Sequence, residues 1–158
     1  MRWYLTLTLV LLFIGAKAQS INFETKDIDN NWVNLKDLSG ERFTVIDFWA
    51  TWCKPCVNAL PKLNKLSEQY KTDGINFIGI SVDGPRNQAK VKPFTQTLGI
   101  SYPVVFDSDQ ELFSEMNASV LPTLIVLNNK GKEVYRHEGF QPGDEELFAE
   151  KINSLLKK

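Results

Sequence analysis

Residues 43–56 have the sequence FTVIDFWATWCKPC, and this stretch decides the fold of the chain. Its first part is rich in β-branched and aromatic residues, a composition typical of a buried central strand. Cys53 and Cys56 follow three positions apart, and apolar side chains then recur at helical spacing from Val57 to Tyr70. The stretch therefore predicts a strand–turn–helix unit with both cysteines at the turn.

The rest of the chain alternates between strand and helix patterns. Apolar periodicity predicts strands at 21–23, 32–35, 75–82, 102–106, 123–127 and 133–139, and further helices through 91–98, 110–116 and 148–155. Pro93 predicts a kink or a late start in its helix, and Asp144 is the expected N-cap of the last helix. This order predicts one α/β domain, with a central sheet flanked by helices on both faces.

Composition excludes several classes of protein. The chain has 158 residues and a formal net charge of −1, so it lacks the basic footprint that nucleic-acid binding needs. Two cysteines are too few for a four-thiolate zinc site, and the single histidine excludes multi-histidine metal sites. We therefore expect no metal and no other cofactor.

The N-terminus has the pattern of a secretory signal peptide. Arg2 precedes an uncharged, mostly apolar run at 3–16, which as a helix would span roughly 21 Å and so fall short of the ~30 Å hydrocarbon core of a bilayer. Ala16 and Ala18 are small residues at the positions that a signal peptidase recognises. We expect residues 1–18 to be a signal peptide, although an uncleaved anchor is the alternative, and residues 19–158 to be one exported domain.

The predicted turn is suited to thiol–disulfide chemistry. The first turn of a helix has unpaired N–H groups and a partial positive charge, which would stabilise a thiolate on Cys53. Cys53 would attack a partner disulfide, and Cys56 would then resolve the mixed disulfide. Lys54 adds a positive charge, and Pro55 suits the start of a helix. The alternative is an inert disulfide, but so short a loop restricts the unfolded chain little.

Two other positions bear on this chemistry. Asp47 lies in the apolar strand, six positions before Cys53, so we expect it to be buried near the sulfurs with a raised pKa and to exchange a proton with Cys56 through a water. A position on the solvated face is the alternative. Pro122 precedes a strand, and a cis bond there would present the backbone of Leu121 to an incoming peptide. Periodicity alone favours a trans proline at a strand start.

These residues carry a resemblance to a known family. The segment 47–56, with Pro61 and the later 121–123 (Leu-Pro-Thr), is similar to the thioredoxin superfamily and most similar to its extracytoplasmic TlpA/ResA-like branch. The resemblance covers nearly the whole chain after the signal peptide. It implies a thioredoxin fold, namely a central mixed β-sheet flanked by helices, with an N-terminal β-hairpin at 23–38 and an inserted αβ segment at 84–107.

The resemblance also implies roles for single residues. Cys53 matches the nucleophile, Cys56 the resolving thiol and Pro122 a cis-proline that faces the disulfide. Trp52 matches the aromatic residue that contacts partners, and Asp47 matches the buried acid of thioredoxins.

Three positions depart from the branch. Ala59 stands where many relatives carry glutamate, and Asp47 stands where many carry asparagine. Leu121 replaces the usual small residue or valine before the cis-proline. These departures leave open which partners the branch-specific features would recognise.

The predicted function is a dithiol–disulfide oxidoreductase that acts on protein thiols and disulfides, most simply as a reductant in cytochrome c maturation or general disulfide reduction. By analogy, a membrane thiol relay would supply its electrons, and we expect a monomer. A copper-binding module of the same fold would need a wider cysteine spacing and a nearby histidine or methionine, and only His137 is available. A thiol peroxidase would need a lone cysteine in a Thr-x-x-Cys setting, whereas Thr51 is two residues before Cys53.

Overall fold

The structure, a computed structural model, describes residues 20–157 and is built around a five-stranded sheet. The strands of the two sheets are β1 (Glu24–Lys26), β2 (Trp32–Asn34), β3 (Phe43–Trp49), β4 (Ile75–Ser81), β5 (Val104–Phe106), β6 (Thr123–Asn128) and β7 (Glu133–Glu138). The helices are α1 (Leu35–Leu38), α2 (Lys54–Tyr70), α3 (Gln88–Thr97), α4 (Glu111–Glu115) and α5 (Asp144–Leu156), with a 3-10 turn at Lys71–Asp73.

The large sheet is mixed, in the order β5-β4-β3-β6-β7. Strands β3, β4 and β5 are parallel, whereas β6 pairs antiparallel with both β3 and β7. The central strand β3 is buried from Thr44 to Trp49, which explains why its sequence is apolar on both faces rather than alternating. The predicted thioredoxin fold with its central mixed sheet is confirmed.

Helices cover both faces of this sheet. Consecutive residues of a strand point to opposite faces, and the two aromatic residues at the end of β3 illustrate this. Phe48 packs edge-on against Phe113 of α4, with ring centroids 5.4 Å apart. Trp49 stacks on Phe94 of α3 at 6.1 Å. Residues at the C-terminal end of β3 are therefore enclosed from both sides.

The small hairpin of β1 and β2 covers the outer edge of β5. Asp27 forms an isolated bridge with Val105, and the Thr25 hydroxyl donates to the carbonyl of Phe106 at 2.7 Å. This cover protects the backbone groups of an edge strand from pairing with another chain. The inserted segment, which contains α3 and β5, thereby becomes part of the same core.

Several local predictions were wrong. The first strand begins at Glu24 rather than within 21–23, and the short helix α1 was not predicted. Helix α3 begins at Gln88 and runs through Pro93, so the late start is wrong. Gly143, with φ +99°, is the N-cap of α5. Asp144 is instead the first helical residue, and its carboxylate accepts from the Gln141 N–H at 2.7 Å.

The predicted signal peptide lies outside the described residues. Within 20–157, none of the helices has the length and apolar character needed to cross a bilayer.

Candidate active site

Cys53 and Cys56 are joined by a disulfide where β3 passes into α2. Cys53 is the N-cap of α2, and the backbone N–H of Cys56 points at the Cys53 sulfur with a distance of 3.3 Å. Cys53 is 6% exposed and Cys56 only 1%. A thiolate on Cys53 would therefore already face a backbone donor at the positive end of a helix.

The loop before the disulfide presents an aromatic side chain to solvent. The Cys53 N–H donates to the Ala50 carbonyl at 3.1 Å and closes a tight turn. Trp52 lies within that turn and is 61% exposed. Lys54 and Pro55, in the first turn of α2, are exposed as well. An exposed tryptophan beside a reactive cysteine is a contact surface that folding alone does not require.

A groove of about 490 Å³ opens beside Cys53. Trp52 lines one side, Leu121 and Val120 line another, and Val82 and Phe113 add further apolar lining. Gln110 and Ser119 are polar residues in the lining, and Lys54 is the one charged residue there. The shape and composition suit a short apolar stretch of peptide next to a disulfide.

The loop that carries Leu121 is held by a cis peptide bond between Leu121 and Pro122. The prediction of a cis bond, which rested on the resemblance, is confirmed. The trans bond, which periodicity alone favours, is not the one found. The Pro122 carbonyl accepts from the Gly139 N–H at 2.8 Å, and the Thr123 hydroxyl donates to the Val120 carbonyl at 2.8 Å. Pro122 is buried, whereas Leu121 is half-buried in the groove.

Asp47 lies inside the sheet and is only 1% exposed. Burial raises the pKa of its carboxyl to about 7, although the Tyr102 hydroxyl, which donates to Oδ2 at 3.4 Å, opposes the rise. Its other oxygen, Oδ1, has no partner among the atoms of residues 20–157, and neither has the indole nitrogen of Trp49. The prediction that this carboxyl is buried is confirmed, and the alternative position on the solvated face is wrong.

Two aspartates that the sequence analysis did not select also lie behind the groove. Asp83 is completely buried and accepts from the Thr51 N–H at 2.8 Å and the Thr51 hydroxyl at 2.6 Å. Asp107 accepts from the N–H groups of Leu112 and Phe113 at 3.1 and 2.8 Å. Asp107 directly follows β5 and Asp83 is the second residue after β4, and the carboxyl ends of these parallel strands meet at the edge where ligands bind in α/β sheets. Their position just after two predicted strands was the sequence signal that could have identified them.

His137 lies elsewhere. Its Nε2 is 3.1 Å from Oδ2 of Asp144, at the start of α5, so its ring is engaged there rather than offered to the sulfurs as the copper-binding alternative requires. Across the described part of the chain, no three or more His, Cys, Asp or Glu side chains are grouped so that they could hold a metal ion.

A thioredoxin-type sheet, a Cys-x-x-Cys disulfide at a helix N-terminus and a neighbouring cis-proline define a thioredoxin-fold dithiol–disulfide protein. The chain belongs to the AhpC/TSA family, whose sequence model matches residues 14–136, and within it to the ResA-type thiol-disulfide oxidoreductases. The thiol-disulfide oxidoreductase ResA of Bacillus thuringiensis (strain Al Hakam) is 32% identical over 145 residues, which cover 92% of this chain and 78% of that protein.

Two solved structures are also similar. An uncharacterized thioredoxin-like protein from Porphyromonas gingivalis is 31% identical with a TM-score of 0.73, and the match covers 89% of this chain and 93% of that chain. StoA from Bacillus subtilis is 26% identical with a TM-score of 0.69, and the match covers 85% of this chain and 98% of that chain.

Proposed function

We propose that this protein is an extracytoplasmic thiol-disulfide oxidoreductase that reduces disulfides in client proteins. The observation that carries the proposal is the Cys53–Cys56 disulfide at the N-terminus of α2, beside an apolar groove lined by the loop of the cis-proline. Relatives that share most of the chain are named as thiol-disulfide oxidoreductases, which supports the same chemistry.

The first step is attack by Cys53. In the reduced protein, the Cys53 thiolate attacks one sulfur of a client disulfide, a bond forms between them, and the client's second sulfur leaves as a thiolate and takes up a proton. The backbone N–H of Cys56, 3.3 Å from the Cys53 sulfur in the oxidised protein, would stabilise the attacking anion. Cys53 is the more exposed of the two sulfurs, which supports this order of attack.

The second step releases the client. The Cys56 thiolate attacks the Cys53 sulfur, the Cys53–Cys56 disulfide forms, and the client's remaining sulfur leaves as a thiol. The client gains two electrons and two protons, and this protein becomes oxidised. Asp47, with a pKa of about 7, can accept the Cys56 proton near neutral pH through an intervening water.

The exposed side chains around the disulfide would bind the client. We assign this contact to Trp52, Lys54, Pro55 and Leu121, and we assign to Pro122 the positioning of the Leu121 backbone against an extended client segment. The groove is mostly apolar, with Lys54, Gln110 and Ser119 as its polar side chains, so client cysteines flanked mainly by apolar residues would fit it best. Leu121 should further restrict which client segments fit the groove, because it is larger than the usual residue at this position.

The N-terminal sequence supports a cellular setting outside the cytoplasm. Residues 1–18 would direct export and be removed before Gln19, and the mature protein would act there as a monomer. A membrane thiol relay would return two electrons to the Cys53–Cys56 disulfide after each cycle, and clients would include proteins of cytochrome c maturation or oxidised exported proteins in general. Mass spectrometry of the exported protein tests cleavage directly, since an intact N-terminus would contradict it.

The roles of the two cysteines can be separated by trapping. Cys56→Ser should accumulate a covalent complex with oxidised insulin through Cys53, because the resolving thiol is missing. Cys53→Ser should form little complex, since Cys56 is buried. Non-reducing electrophoresis checks both variants side by side, and equal trapping by Cys53→Ser would reverse the assignment.

The direction of electron flow rests on the reduction potential. Equilibration of the purified protein with glutathione redox buffers, followed by alkylation and mass spectrometry, measures that potential. A value in the reducing range, near those of thioredoxins at roughly −270 mV, supports a reductant. A strongly oxidising value would make the protein a donor of disulfides instead.

A further inference from the structure

Two loops meet directly behind the redox groove. The first connects β3 to α2 and contains Thr51, Trp52 and Cys53. The second follows β4 and contains Val82 and Asp83. Because β3 and β4 are parallel neighbours with Trp49 opposite Ser81, both loops leave the sheet at the same edge.

The two loops are linked through the carboxylate of Asp83. Its Oδ2 accepts from the Thr51 N–H at 2.8 Å, and its Oδ1 accepts from the Thr51 hydroxyl at 2.6 Å. The Ser81 hydroxyl donates to Oδ2 at 3.0 Å. Hydrogen bonds to a carboxylate are about twice as strong as neutral ones, and complete burial of Asp83 protects them from water. We call the two bonds from Thr51 to Asp83 the Thr51–Asp83 link.

The Thr51–Asp83 link joins two walls of the groove. Thr51 is followed immediately by Trp52 and Cys53, which form one wall, and Asp83 is preceded immediately by Val82, which forms another. The Val82 N–H also donates to the Trp49 carbonyl at 2.9 Å. The Thr51–Asp83 link joins the residue before Trp52 to the residue after Val82. It therefore sets the separation between Trp52 and Val82.

We propose that Asp83 is a positioning residue for client binding, which acts through Thr51 to hold the walls of the groove at the spacing that a client peptide requires. This inference rests on the proposed function and adds a determinant of client affinity to it. A protein client must contact Trp52 and the opposite wall together, whereas a small disulfide needs access only to Cys53. Loss of the Thr51–Asp83 link should consequently weaken reaction with proteins more than reaction with small disulfides.

The test uses Thr51→Val and Asp83→Asn in the prereduced protein. Its oxidation is followed by alkylation at increasing concentrations of oxidised insulin and, separately, of hydroxyethyl disulfide. We expect both variants to raise the half-saturating insulin concentration about tenfold, which corresponds to ~1.4 kcal/mol. The limiting rate with insulin and the rate with hydroxyethyl disulfide should fall by much smaller factors.

Two further variants serve as controls. Thr51→Ser keeps the hydroxyl and should return the half-saturating insulin concentration toward that of the unsubstituted protein. Thr95→Val removes a comparable buried hydroxyl, which donates to the Lys92 carbonyl at 2.9 Å within α3. It should change neither reaction, because Thr95 is not part of the groove.

The results separate this inference from the proposed function. If Thr51→Val leaves both reactions intact, or slows insulin and hydroxyethyl disulfide by the same factor, the inference is wrong while the oxidoreductase assignment stands. If the unsubstituted, prereduced protein is oxidised by neither compound, the proposed function fails and the inference fails with it.

Discussion

Two buried carboxyls near the redox end of the sheet differ in how they are hydrogen-bonded. Asp47, within β3, has one long bond from Tyr102 at 3.4 Å and an oxygen without a partner among the described residues. Asp83, after β4, has three bonds of 3.0 Å or less from Thr51 and Ser81. Both are at most 1% exposed, so burial alone does not distinguish them.

The difference in hydrogen bonding allows two equally buried carboxyls to serve two purposes, proton exchange and anchoring. A buried carboxylate with only one long hydrogen bond is unstable relative to its protonated form, and the pKa of Asp47 accordingly rises to about 7. Asp47 can therefore take up and release a proton near neutral pH. Both carboxylate oxygens of Asp83 accept hydrogen bonds from neighbouring donors, which suits a fixed anchor. Substitutions at the two sites should therefore affect different properties.

The largest expected effect concerns the rate of client release. Asp47→Asn removes the group that accepts the Cys56 proton, so resolution of the mixed disulfide near pH 7 should slow about a hundredfold, the low end of what a positioned acid or base contributes. The pH dependence of release should also flatten. Rapid-quench alkylation after the prereduced protein is mixed with excess oxidised insulin follows the rise and decay of the mixed disulfide and measures this step, with the exposed Asp73→Asn as the matched control. An unchanged rate of client release would show that Asp47 has only a structural role.

The same substitution should stabilise the fold at high pH. The folded-state pKa of Asp47 is raised, so the native protein holds a proton that the unfolded chain releases above its ordinary pKa of 3.8. Its contribution to stability is present below pH 3.8 and is lost as pH rises toward 7 and beyond. Asp47→Asn should raise the free energy of unfolding by about 4 kcal/mol at pH 8 relative to its effect at pH 4, since each pKa unit of the shift is worth about 1.4 kcal/mol.

Urea titrations at both pH values measure this difference. An equal effect of Asp47→Asn at pH 4 and pH 8 would contradict a raised pKa in the folded protein.

A smaller effect is expected at the other carboxyl. Ser81→Ala removes one of the donors to Asp83 but leaves both bonds from Thr51, so the free energy of unfolding should fall by about 1 kcal/mol. Exchange rates with hydroxyethyl disulfide should stay near those of the unsubstituted protein. A large, pH-dependent change in exchange would indicate that Asp83 acts on the chemistry itself rather than as an anchor.

The smallest expected effect tests the bond from Tyr102. Its hydroxyl lowers the pKa of Asp47, so Tyr102→Phe should raise that pKa above 7 by about half a pH unit, as expected for loss of one weak hydrogen bond. The rising limb of client release should move to higher pH by the same amount. Carbon-13 NMR titration of the Asp47 carboxyl follows the pKa directly. A lower pKa in Tyr102→Phe would contradict the assigned direction.

The sequence was sufficient to predict the redox pair and the burial of Asp47. Local signals carried both, because a continuous apolar strand followed by Cys-x-x-Cys and a helical pattern leaves little choice of arrangement. The cis bond before Pro122 could not be obtained from periodicity, since a cis and a trans proline have the same neighbours in sequence. The family resemblance supplied it instead.

The roles of Asp83 and Asp107 depend on which strands are neighbours. Asp83 accepts bonds from Thr51 because β3 and β4 are parallel neighbours whose loops meet at one sheet edge, which sequence spacing alone does not specify. Asp107 accepts from residues five and six positions later, and its place at the same edge comes from the pairing of β5 with β4. The N-cap of α5 was misjudged for a more local reason. Gly143 adopts a left-handed conformation that glycine tolerates, and this allows the chain to turn one residue before Asp144.

The central claim is that the cysteine pair at the start of α2 transfers two electrons to a client. The direct measurement mixes the prereduced protein with oxidised insulin, quenches with an alkylating reagent, and counts modified cysteines on both partners by mass spectrometry. We predict that one Cys53–Cys56 disulfide appears for each insulin disulfide lost. If the quench alkylates both Cys53 and Cys56 while insulin stays oxidised, the account is wrong.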